Sequence, residues 1–175
     1  MQNLADIEKE KIGKLVKDIL NKLNISQTDL AEAVGTSAGT IKNLIKGKAA
    51  TFDIVIKTLG FLGIALPITK VTKLPLEPEL RLRIKEYHKK YGISDERKLL
   101  DKQPTLLIAI TDRLIPDGFL KKPKTTGELV DILEEDYNIK TNSSVLSKEL
   151  QKAVDLEAVI VIDETTKRHQ YQQKK

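Results

Sequence analysis

The stretch that most restricts how this chain can fold is SQTDLAEAVGTSAGTIKNLIKG, residues 26–47. It reads as two short helices separated by a tight turn at Gly35, where a left-handed backbone favours glycine. Ser26 followed by Asp29 is a capping-box pattern that opens the first helix, and Leu30, Ala31 and Val34 give that helix an inward face. Ser37 or Thr36 can cap the second helix, whose Ile41, Leu44 and Ile45 share one side. Upstream, Ile12, Leu15, Val16, Ile19, Leu20 and Leu23 recur at helical spacing and predict a long amphipathic helix. Downstream, Thr51 can cap a further helix containing Phe52, Val55, Ile56, Leu59 and Leu62.

Residues 7–66 together resemble the lambda-repressor-like (XRE-type) family of helix-turn-helix domains. The matching residues are Ser26-Gln27, Leu30-Ala31, Gly35, Thr40-Ile41, Leu44, Gly47-Lys48 and Leu62-Gly63-Ile64. The resemblance implies a bundle of four or five helices that binds double-stranded DNA, usually as a homodimer on a palindrome, with the second motif helix in the major groove. Two positions depart from the family pattern. Ala38 and then Gly39 stand at the start of the groove helix, where a glutamine that reads adenine is frequent, and Ile45 stands near its end, where a glutamate is frequent. The operator sequence therefore does not carry over.

At about 100° per residue, Ala38, Leu44 and Ile45 fall within roughly 60° of Ile41, whereas Gly39, Lys42, Asn43 and Lys46 fall opposite. Asn43 is the best reader of a base edge, because its amide both donates and accepts. Lys42 can reach a guanine or a phosphate, and Lys46 and Lys48 suit phosphates. Gly39 inside a helix costs about 1 kcal/mol relative to alanine, which close approach of DNA would explain. Gln27 matches the family position that contacts phosphate. The expected DNA-binding set is thus Gln27, Ser37, Ala38, Gly39, Thr40, Lys42, Asn43, Lys46 and Lys48. The same motif also occurs in bundles that bind protein alone, and lysines on a helix commonly form nothing more than a solvated face.

A chain of 175 residues holds one large or two small domains, and its 40% apolar content supports real cores. The absence of cysteine excludes disulfides and thiolate metal sites. Apolar runs such as Leu106–Ile110 are too short for a membrane span, and nothing resembles a signal peptide; the expectation is a soluble cytoplasmic protein without a membrane partner. The net charge of +5 is uneven. Residues 1–70 carry 10 basic and 7 acidic side chains, residues 71–104 carry 9 and 6, and residues 105–175 carry 11 and 12. The basic excess lies in the motif-bearing half and just after it, where contact with a polyanion is expected.

Pro67, Pro75 and Pro78 mark an extended linker that ends the first domain. Glu79–Tyr91 then reads as a basic helix with Leu80, Ile84, Tyr87 and Tyr91 along one stripe and Arg81, Arg83, Lys85, Lys89 and Lys90 over the rest. It can brush DNA, pair with its copy in a dimer, or pack on a neighbouring domain. The expected organisation is a helix-turn-helix domain over 1–66, a linker with a basic helix over 67–104, and a second domain over 105–175.

In that second domain Leu106–Ile115 is apolar nearly all round, a buried helix whose LLIAI core can equally be a strand. Thr125 and Glu128 form a capping box opening a helix with Leu129, Ile132, Leu133 and Tyr137 inward. A third helix, about Ser143–Val154, carries Leu146, Leu150, Ala153 and Val154 on one side. The β-branched AVIVID, residues 158–163, reads as a strand that pairs with HQYQ across the turn ETTKR. This order resembles a winged-helix domain, giving a fold class that is mainly α with a C-terminal winged-helix-like α+β part. The resemblance would make Ser144, Ser147, Lys148 and Lys152 groove-facing and place Lys167, Arg168 and His169 at the wing. Glu134, Glu135 and Asp136 oppose phosphate contact, and winged helices also serve as dimerisation or protein-docking units.

Catalysis has little footing. His88 and His169 lack a nucleophile or metal partner in sequence, His88 reads as solvated, and no P-loop, dinucleotide-binding glycine pattern or HExxH is present. No enzyme activity, cofactor or metal is expected. The expected function is a transcriptional regulator, a repressor acting by operator occupancy. The competing reading is an antitoxin or interaction module whose C-terminal half binds a protein partner.

Overall fold

The computed structural model describes residues 4–48, 50–64, 74–163 and 169–174 and divides the chain into two compact units, Met1–Gln103 and Pro104–Lys175. In the first unit, α1 (Leu4–Leu23) places Leu15, Val16, Ile19, Leu20 and Leu23 in the core and stops at Asn24, which adopts a left-handed conformation. Ser26 caps α2 (Gln27–Ala33) with both halves of the capping box formed. Gly35 turns the chain at φ 71°. Ser37, rather than Thr36, caps α3 (Ala38–Ile45) by accepting from the Thr40 amide at 3.1 Å. Thr51 occupies the N-cap position of α4 (Phe52–Phe61), but its hydroxyl makes no capping bond.

The first unit does not end near residue 66. The basic helix α5 (Glu77–Tyr91) and the 3-10 turn Leu99–Asp101 deliver Leu80, Ile84, Leu99 and Leu100 into the same core as the helix-turn-helix. Of the three linker prolines, Pro67 lies outside the described residues, whereas Pro78 stands in the first turn of α5 rather than in an extended linker, because a helix start leaves its amides unbonded and so tolerates proline. Three expectations for α5 change with its phase. His88 is buried, not solvated: with Glu77, Leu80 and Ile84 it forms the inward stripe, its Nε2 lies 2.5 Å from the Phe61 carbonyl oxygen, and its ring is tilted against that of Phe61 at 5.0 Å. Tyr91 instead is exposed, its ring tilted against that of Tyr87 at 4.5 Å. Arg81 is not part of a solvated face. Its guanidinium donates to Glu77 at 2.6 Å, to the Leu100 carbonyl at 2.7 Å and to the Leu23 carbonyl at 3.2 Å, tying α1, α5 and the 3-10 turn together.

In the second unit Leu106–Ile115 is helical rather than extended: α6 (Leu106–Ala109) continues directly into a π-helical turn, Ile110–Leu114. A two-residue strand that the sequence does not signal, β1 (Lys124–Thr125), leads into α7 (Thr126–Tyr137), opened by the expected Thr125–Glu128 capping box. Asn142 caps α8 (Ser143–Asp155), and β2 (Val159–Asp163) and β3 (Gln170–Gln173) follow. The antiparallel sheet runs β1-β3-β2, with Val161 opposite Tyr171 and a register shift between Val161 and Asp163. Leu129 and Leu133 of α7 pack with Leu146, Leu150 and Ala153 of α8 and with Val159 and Tyr171 of the sheet. Tyr137 is half-buried; its hydroxyl donates to Asp117, and the Arg113 guanidinium lies over its ring. Burial of the phenol, then the Asp117 carboxylate, pushes its pKa upward. The fold class is mainly α, an N-terminal helical bundle with a C-terminal α+β part. Among the described residues no helix is long and apolar enough to cross a membrane.

Candidate nucleic-acid interface

Burial along α3 follows the helical period. Ile41 and Leu44 are buried and Ile45 is half-buried, while Gly39, Lys42, Asn43 and Lys46 are all exposed, as is Lys48 just beyond the helix. Among the described residues none of Lys42, Lys46 and Lys48 forms an ion pair. The helix is held at both ends. At its start, the Ser37 hydroxyl lies 2.9 Å from the Thr40 hydroxyl as well as capping the helix, so Ser37 and Thr40 are engaged with each other. At its far end, α1 runs against the α3 backbone at Gly13: a Cβ there would lie 2.5 Å from the Ile45 carbonyl oxygen and 2.6 Å from that of Leu44. The two glycines of this region therefore differ in cause. Gly13 is required by packing within the chain, but a Cβ on Gly39 would meet nothing closer than the Ser37 hydroxyl at 3.7 Å.

Ala38, which the face count places with the core residues, is exposed because it is the first residue of α3 and lies beyond the reach of the bundle. Gln27 is exposed at the first position of α2. Beside it, Asp29 accepts from the Ser26 amide at 3.2 Å and the Ser26 hydroxyl at 2.7 Å, and receives Lys102 Nζ at 2.5 Å. The Lys102 ammonium, then Ser26, holds the Asp29 carboxyl down at about 2. Glu32, one turn further along α2, pairs with Arg97. Sequence reasoning missed both partners, because an ion pair across more than sixty residues leaves no local signal.

In the second unit the expected contacts divide. Ser144 and Ser147 line a cavity of about 580 Å³ with Ser143 of α8, with Thr125, Thr126 and Gly127 at the start of α7, and with His169 before β3. Thr126, Gly127 and Ser143 are additions to the expected set; the signal that could find them is that both helices open on polar caps, Thr125 for α7 and Asn142 for α8. Lys148 is exposed on α8. Lys152 is exposed too but is held by Glu149 at 2.6 Å, three residues back on the same helix. Lys167 and Arg168 lie outside the described residues. Asp131, Glu134, Glu135 and Asp136 leave α7 with an acidic exposed surface.

A capped pair of short helices, a left-handed glycine between them and an unpaired cationic outward face on the second define a helix-turn-helix of the DNA-binding kind. Residues 16–68 match the Helix-turn-helix family model, so the lambda-repressor-like resemblance holds for this domain. No curated protein and no solved structure matches the chain.

Proposed function

We propose that the chain is a sequence-specific transcriptional regulator, a cytoplasmic homodimer that represses by occupying its operator. The observation that carries this is the outward face of α3, where Gly39, Lys42, Asn43 and Lys46 stand exposed while Ile41 and Leu44 anchor the helix from behind. Phosphate contacts by Gln27, Lys46 and Lys48 set the register, the exposed Ala38 and the engaged Ser37–Thr40 pair border the groove, and Lys42 and Asn43 select sequence. No catalytic step or cofactor belongs to this reading.

The order α6-β1-α7-α8-β2-β3 supports a winged helix in the second unit, with Ser144, Ser147 and Lys148 offered to a second stretch of duplex. A different observation favours a protein partner there. β2 is an edge strand whose Ile160 and Ile162 are exposed, with Leu156 exposed just before it, and an exposed apolar edge suits protein docking. Selection of bound duplexes from a random pool with the full chain tests the main reading, and a palindrome is the expected product. On the selected site Asn43→Ala should cost about 1–3 kcal/mol and much less on random DNA; equal loss on both removes Asn43 as a reader. Recovery of a stoichiometric protein partner that leaves no selectable duplex would favour the interaction module.

A further inference from the structure

Helix α2 carries two carboxylates, Asp29 and Glu32, and one short segment after α5 supplies a cation to each. Lys102 Nζ sits 2.5 Å from Asp29 Oδ2, and the Arg97 guanidinium pairs with Glu32. The segment is anchored around these contacts. Asp95 accepts from the Leu99 and Leu100 amides at 2.9 Å each, Leu99 and Leu100 enter the core, and the Gln103 carbonyl accepts from the Asn24 side chain at 3.0 Å. Stability alone is a weak reason for the two ion pairs. Their side chains are 38% and 24% exposed in one pair and 50% and 43% in the other, and pairs so exposed contribute little to folding.

The position of α2 supplies a better reason. In a DNA-bound helix-turn-helix the first helix crosses the sugar–phosphate backbone. A bare carboxylate there opposes each phosphate within a Debye length, about 8 Å at physiological ionic strength. Asp29 also supplies the capping-box acceptor, so its side chain cannot be cut away without loosening the start of the helix.

We propose that Lys102, seconded by Arg97, is a charge-masking positioning residue that cancels the negative charge of α2 and lets this helix approach the DNA backbone. The inference rests on the DNA-binding reading above, and it carries the determinants of binding well beyond residues 16–68, to the last turn of the first unit. Asp29 lies in the first turn of α2, two residues from Gln27, whereas Glu32 lies in the last. Lys102 therefore matters more than Arg97.

The test uses the full chain and a mixed-sequence duplex of about 30 base pairs, long enough for non-specific backbone contact, with binding followed by fluorescence anisotropy over a series of salt concentrations. Lys102→Met should bind about fivefold more weakly at low salt, Arg97→Met should lose less, and both differences should shrink as salt rises. Asp29→Asn keeps an acceptor for the cap while removing the charge, so Asp29→Asn combined with Lys102→Met should return to within about twofold of the parent chain. Melting temperatures of the same variants separate this from unfolding, since masking requires the affinity loss to occur at an unchanged melting temperature. Parent-like binding by Lys102→Met overturns the proposal. So does a double variant that stays as weak as Lys102→Met, which would make Lys102 a direct phosphate contact. A parent chain indifferent to the duplex at low salt overturns the DNA-binding reading itself, and the masking with it.

Discussion

Two glycines, Gly13 on α1 and Gly39 on α3, show how much a single residue can carry. Gly13 is fixed by the carbonyls of Ile45 and Leu44, so its reason lies inside the molecule. Gly39 has no such reason: its helix would be more stable with alanine, and nothing within the chain crowds the site. Gly39→Ala is therefore expected to raise stability by about 0.5–1 kcal/mol in denaturant unfolding while weakening DNA binding in the same preparation. A gain in stability with unchanged binding would leave the glycine without a role at the interface. Gly39 was identified from sequence because a glycine between capped turns stands out in a helical period. His88 is illegible in the sequence for the opposite reason. A histidine among lysines reads as solvated, and only the observed phase of α5, with Glu77, Leu80 and Ile84 inward, places its ring against Phe61.

Between helices, the decisive interactions are those that tie sequence-distant ends together. Arg81 spans three elements through Glu77 and the carbonyls of Leu23 and Leu100, and Glu77 itself is fully buried. Taking away one partner of a buried pair leaves the other charge poorly compensated in a low dielectric. Arg81→Met should accordingly cost about 3 kcal/mol or more in denaturant unfolding. The control is Arg83→Met: Arg83 and Glu79 sit at the same spacing on the same helix, 2.5 Å apart, but both are exposed, so the loss should stay within about 1 kcal/mol. Comparable losses for both would mean that burial is not what distinguishes them. The capping boxes at Ser26–Asp29 and Thr125–Glu128 were legible, being written within four residues of sequence. The grip of Arg81 was not, since its acceptors are main-chain atoms and carry no residue identity.

For the whole chain, the boundary of the first unit decides which fragment can stand alone. Ending the chain near residue 70 strips Leu80, Ile84, Leu99 and Leu100 from the core. Each buried side chain of that size contributes roughly 1.5–3 kcal/mol, so the loss rivals the entire stability of a small domain, about 5–15 kcal/mol. A fragment ending at residue 103 is expected to unfold cooperatively by circular dichroism, and one ending at residue 70 to show no cooperative transition; a sharp transition in the shorter fragment would make α5 dispensable. Local chemistry determined much of the helix-turn-helix in advance. The helix starts and stops, the turn at Gly35 and the polar face of α3 follow from hydrophobic period, capping residues and glycine, all of which act over a few residues. Tertiary structure alone decided that α5 and the 3-10 turn belong to the helix-turn-helix core, that His88 and Arg81 face inward, and that Lys102 and Arg97 meet the acids of α2. Those outcomes depend on which distant surfaces come within a few ångströms once the chain has closed, and no local pattern encodes that distance.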